Sequence, residues 1–153
     1  YALEGGALRM TALVEIGEDR PMPHAFGWHP YFTTTDKARV RIAPNMAYCE
    51  KWDDSGKAPI PPERAEIAHP ADYVMSRRTC GVAEIVSPAD GYGARIRSCE
   101  AFRALVVCTL FPGTTCVEPW IALPNAANTR EDLVWVPPRS QARYDCFIEP
   151  YLL

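Results

Sequence analysis

Several features are missing from these 153 residues, and each absence closes off a class of function. No apolar run approaches the roughly 18–20 residues that a membrane-spanning helix needs. No basic excess exists: 16 Lys and Arg face 19 Asp and Glu, a formal net charge of −3. Nucleic acid is therefore not an expected partner, because duplex binding calls for clustered Lys and Arg. The six cysteines are Cys49, Cys80, Cys99, Cys108, Cys116 and Cys146, and no two form a C-x-x-C pair. Zinc-ribbon and thioredoxin-type readings fail on that spacing. No metal is expected, and the thiols read as free in a reducing, cytoplasmic setting. The chain starts at Tyr1 without a Met or a charged-then-apolar leader. Its first residues already read as strand, as expected of a fragment or a truncated gene.

Long helical periodicity is also missing. Fifteen prolines and nine glycines interrupt the chain too often for it. What remains is a series of short strand signals. Residues 8–16 alternate loosely, and Arg39-Val40-Arg41-Ile42 alternates charged with apolar side chains. Residues 82–86 and 94–98 flank an Asp90-Gly91 turn and read as a hairpin. Residues 102–111 are the most apolar stretch and should form a central strand. Pro112-Gly113 then turns the chain into residues 114–118, and residues 133–136 and 142–148 follow. This spacing predicts an all-β, antiparallel sandwich in one domain over residues 1–153. Residues 52–70, rich in Pro and charge, read as a long surface loop. The Arg77-Arg78 pair could hold an anion but reads first as a solvated pair.

Three places could carry chemistry. The first is Gly27-Trp28-His29-Pro30-Tyr31-Phe32. A histidine there can give or take a proton near neutral pH, although a histidine among aromatics also suits a core. The second is Cys116-Val117-Glu118-Pro119-Trp120. A carboxylate at the end of an apolar strand becomes a usable base if burial raises its pKa; beyond the strand it would simply face solvent. The third is Asp72, at the head of Tyr73-Val74-Met75. Asp commonly makes turns at such positions, and a sugar-binding role requires it to share a cleft with His29 and Glu118. Trp28, Tyr31 and Trp120 offer flat faces to the C–H groups of a pyranose, or equally fill a sandwich core.

Taken together, residues 23–32 resemble the G-x-H-P-Y-F segment of the aldose 1-epimerase (galactose mutarotase-like) family. Glu118-Pro119-Trp120 with Pro124-Asn125-Ala126-Ala127-Asn128 resembles that family's E-P-W-x-x-x-P-D-A-x-N segment, with Asn125 in place of the usual Asp. Ala71-Asp72-Tyr73 sits where the family often carries an Asp. The resemblance implies a large antiparallel β-sandwich, of which this chain is the C-terminal part. It implies that His29 acts as general acid and Glu118 as general base, with Asp72, Trp28, Tyr31 and Trp120 around the sugar. The reaction implied interconverts the α and β anomers of an aldose or hexose 6-phosphate, without cofactor. One acid and one base on opposite sides of the sugar suffice for ring opening. The family's N-terminal half, which contributes an Arg and another His to the site, has no counterpart here. Competing readings are a carbohydrate-binding sandwich module, an inactive remnant, and a glycoside hydrolase using Glu118 with Asp72.

Overall fold

The computed structural model describes residues 1–153. Fourteen strands run in chain order: β1 (Ala2–Glu4), β2 (Ala7–Glu15), β3 (Met22–His24), β4 (Tyr31–Thr33), β5 (Arg41–Ala43), β6 (Met46–Asp53) and β7 (Gly56–Ile60), then β8 (Asp72–Arg78), β9 (Val82–Ser87), β10 (Tyr92–Ser98), β11 (Ala104–Cys108), β12 (Thr114–Trp120), β13 (Val134–Val136) and β14 (Gln141–Leu152). One sheet has the order β1-β2-β14-β10-β9-β5 and the other β4-β12-β11-β8-β6-β7, while β13 and β3 form a small ribbon. Every named pairing is antiparallel, which short turns between neighbours permit. No helix is long and apolar enough to cross a membrane.

The two six-stranded sheets face each other, and the alternation of each strand decides what enters the core. Met10, Ile85, Ala94, Ile96, Tyr144 and Cys146 come from the first sheet. Cys49, Tyr73, Met75, Leu105, Val107 and Val117 come from the second, with Phe102 wedged beside them. On the outer face of the first sheet, Arg97 pairs with Glu149 at 2.6 Å and Arg95 with Glu84 at 3.2 Å. Solvated pairs of this kind contribute little stability. Strand β11 differs from the rest because all five of its residues are buried. It is the interior strand expected of the most apolar segment.

Two sequence expectations need correction. Residues 52–70 are not one long loop: Met46–Asp53 and Gly56–Ile60 form a hairpin, with Cys49 opposite Ile60 and Asp53 opposite Gly56. The turn is tied by Ser55, whose backbone N–H donates to Asp53 Oδ1 at 2.9 Å, and Gly56 takes the positive φ of 115° that the turn requires. Pro59 misled the reading. Proline is tolerated in β7 because that strand is the sheet edge, where a missing N–H breaks no ladder. Arg78 is likewise not a solvated cation. Its guanidinium donates to the backbone carbonyls of Cys80, Ser98, Cys99 and Phe102, and so staples the chain crossing between the sheets.

Candidate functional site

The site grows from the register of the second sheet. Cys116, Glu118 and Trp120 alternate along β12 and share its outer face. Tyr31 lies opposite Cys116, and an isolated bridge sets Gly27 opposite Trp120. Position 29, midway between those pairs, therefore falls opposite Glu118. The side chains meet: His29 Nε2 lies 3.2 Å from Glu118 Oε1. Residues 89 positions apart in sequence are thus cross-strand neighbours, the closest relation an antiparallel sheet offers.

The two partners sit in different surroundings. Glu118 is 1% exposed, whereas the His29 side chain is 48% exposed, so the pair presents its imidazole to solvent. Burial pushes the Glu118 carboxyl up from the ordinary range, and Asp72 adds to this through its charge. The His29 charge and a hydrogen bond from Trp120 oppose the shift without cancelling it. That hydrogen bond runs from Trp120 Nε1 to Glu118 Oε2 at 3.0 Å. It leaves Oε1 directed at His29. The imidazole is held in turn by stacking on Tyr31, with ring centroids 4.9 Å apart and planes 19° apart. Tyr31 leans on Phe111 at 6.1 Å. Lys37 Nζ donates to the carbonyls of Thr109 and Phe111 at 2.6 Å each and so fixes the turn beneath them.

Asp72 lies two strands from Glu118 and one row along, opposite Cys108, which is opposite Cys116. It shares the outer face with the His29–Glu118 pair but does not touch it. Strand spacing puts the Cα atoms of the two carboxylates roughly 12 Å apart. Trp28 is the expected site residue that the structure takes elsewhere. It has the opposite parity to His29 and packs edge-on to Phe26 and Tyr1, both at 5.9 Å, against the core. Its ring is thus no platform for a ligand held by His29.

Sequence reasoning passed over two further participants. A Cβ on Gly27 would collide with the Trp120 indole, so glycine there is what lets that ring lie down and reach Glu118. The signal was present in the cross-strand pairing, which no local pattern displays. Cys116, buried on the same face, is the other. The donor atoms of His29, Cys116 and Glu118 all lie within 4.8 Å of one another, and they are the residues that could hold a metal ion.

No family model matches the sequence, and no curated protein matches it. Solved structures do. A protein of Synechocystis sp. PCC 6803 superposes with a TM-score of 0.89 at 23% identity, covering 99% of this chain and 53% of the other. A galactose mutarotase-like protein of Clostridium acetobutylicum gives 0.78 at 15% identity, covering 99% and 54%. A galactose mutarotase related enzyme of Lactobacillus acidophilus gives 0.74 at 12% identity, covering 99% and 59%. The chain spans a little over half the length of these proteins and, over that span, has the galactose mutarotase-like fold.

Proposed function

We propose that this chain carries the acid–base pair of an aldose 1-epimerase, an isomerase that exchanges the α and β anomers of a free sugar. The observation that carries the reading is the 3.2 Å contact between His29 and Glu118 on the open face of the second sheet. Mutarotation breaks the bond between the anomeric carbon and the ring oxygen, then reforms it on the other face of the carbonyl. Opening takes a proton off the anomeric hydroxyl and delivers one to the ring oxygen. Both oxygens are bonded to the same carbon, so an acid and a base lying side by side can serve them. The sequence expectation of groups on opposite sides of the sugar is not needed.

Glu118 fits the base. Its raised pKa makes it a stronger proton acceptor than a solvated carboxylate, and Trp120 keeps it aimed. His29 fits the acid, because it is half exposed and stacked in place by Tyr31. Each such group typically contributes about 10²–10⁴-fold. Asp72 and the exposed edges of Tyr31 and Trp120 are the proposed sugar contacts. The glycoside hydrolase reading is weaker, because the direct partner of Glu118 is an imidazole and not a second carboxylate.

Anomeric exchange measured by NMR tests the proposal. It is run on a panel of aldoses and hexose 6-phosphates, with this chain and with a version extended at its N-terminus to the length of its structural neighbours. Exchange faster than the buffer rate for at least one sugar is expected from the extended version. A folded extended version that binds sugars without accelerating exchange would favour a carbohydrate-binding module instead.

A further inference from the structure

The outer face of β12 holds more than an acid and a base. Cys116 is fully buried, and its thiol completes a triad of donors with His29 and Glu118. Cys108, also buried, is its cross-strand neighbour and brings a second sulfur to the same face. An imidazole nitrogen, a carboxylate oxygen and one or two sulfurs make a donor set for a borderline-soft divalent ion. Mg²⁺ and Ca²⁺ prefer oxygen ligands throughout. Three protein ligands with an open fourth position is a recurrent zinc arrangement.

We propose that His29, Cys116 and Glu118 bind Zn²⁺, with Cys108 available as fourth ligand, and that bound Zn²⁺ shuts off sugar turnover by occupying the acid–base pair. The inhibitory part rests on the epimerase reading; the binding part does not. The carboxylate is already oriented for it. Trp120 holds Oε2, which leaves Oε1 for the metal, and such outer partners commonly strengthen metal sites. Tyr31 similarly fixes the imidazole plane. Entry is from the side of His29, the exposed member of the triad. Binding replaces the Cys116 S–H bond with a sulfur–metal bond. The thiol proton, together with any proton carried by the ligand atoms of His29 and Glu118, goes to solvent, with no change of oxidation state.

Sequence spacing conceals such a site. Cys116 and Glu118 are two residues apart, but His29 and Cys108 join them only through strand register.

The test is a titration of the folded, metal-free chain with Co²⁺, a spectroscopic stand-in for Zn²⁺. A near-ultraviolet sulfur-to-cobalt band is expected, displaced by Zn²⁺, and at least tenfold weaker in affinity in both Cys116→Ser and His29→Gln. His29→Gln serves as the second variant because that side chain is half exposed and should not disturb folding. Cys80→Ser, at an exposed cysteine outside the donor cluster, should leave the band unchanged. No band, or one whose affinity both site variants leave unchanged, overturns the proposal. In the extended version, Zn²⁺ should suppress exchange at least tenfold, reversibly with a chelator. A band in a protein that never accelerates exchange sinks the epimerase reading and leaves the metal site standing. Exchange that proceeds equally with and without Zn²⁺ in a protein lacking the band does the reverse.

Discussion

Glu118 and Glu50 form a natural experiment within one sheet. They occupy the same row on the same face, linked through Val106 and Val74, three strands and roughly 14 Å apart. Each is followed two residues later by a tryptophan whose Nε1 donates to its Oε2 at 3.0 Å. Their chemistry nevertheless diverges. The hydrogen bonds from Trp52 and then Tyr48 hold the Glu50 carboxyl below the usual range. Burial holds Glu118 above it, despite its own tryptophan. The same local arrangement therefore accompanies a lowered carboxylate pKa where water reaches it and a raised one where water does not. Neighbouring geometry sets direction and reach, while the degree of burial sets the sign of the pKa shift.

The sharpest test of that contrast is catalytic. In the extended protein, Glu118→Gln should cost about 10²–10⁴-fold in anomeric exchange, and His29→Ala a comparable factor. Glu50→Gln should leave the rate near wild type, because Glu50 touches neither partner of the pair. Exchange rates by NMR, with circular dichroism to verify folding, decide it. Equal losses in the Glu118 and Glu50 variants would mean that the row acts as a single binding surface, which is the carbohydrate-module reading.

Much of this arrangement was legible from sequence where a signal is local. The most apolar segment became the interior strand β11, and the Asp90-Gly91 pair marked the hairpin of β9 and β10. His29 and Glu118 stood out through the two segments that together resemble the family, since each alone also suits a core or a solvated strand end. Information carried by register stayed hidden. Trp28 and Tyr31 are near neighbours in sequence, but opposite parity sends one to the core and the other to the open face. Gly27 opens the G-x-H-P-Y-F segment and Cys116 precedes Glu118, but the roles of both, and of Cys108, follow only from what lies across the strand. The β6–β7 hairpin was missed because Pro59 argues against a strand unless that strand is known to be an edge.

An intermediate effect is expected from the support beneath Glu118. Gly27→Ala forces the Trp120 indole to move, and Trp120→Phe removes its N–H outright. Either change withdraws a donor that favours the ionised carboxylate, so the Glu118 pKa should rise further. Catalysis needs that group unprotonated, and the acid limb of the pH–rate profile should therefore shift to higher pH. A loss of about tenfold or more near neutral pH fits one hydrogen bond to a charged group, about 1.5–3 kcal/mol. Trp52→Phe, the matching change beside Glu50, should leave the profile in place. An unshifted acid limb in Trp120→Phe would remove Glu118 from the role of base.

The smallest effect concerns stability, and its sign separates the two carboxylates. A group whose folded pKa is raised favours folding below its unfolded pKa, and that contribution is lost as pH rises through the folded value. Glu118 is of this kind, so at pH 8 the folded protein must hold a buried carboxylate against its preference. Glu118→Gln removes the charge and keeps the shape. Its carbonyl can still accept from Trp120, and its amide can donate to His29. The variant should therefore melt at a higher temperature than wild type at pH 8, and the difference should vanish in acid, where Glu118 is itself neutral. Glu50 has a lowered folded pKa, so its contribution is present above the unfolded pKa and lost as pH falls through the folded one. Glu50→Gln should therefore melt lower than wild type at pH 8, and that deficit should also shrink in acid. Melting curves of the three proteins at pH 8 and in stepwise more acid buffers read both differences. Opposite signs at pH 8 are expected because burial governs one group and hydrogen bonding the other. Matching signs would mean that the two carboxylates share one environment, and the raised pKa assigned to the base would have no physical cause.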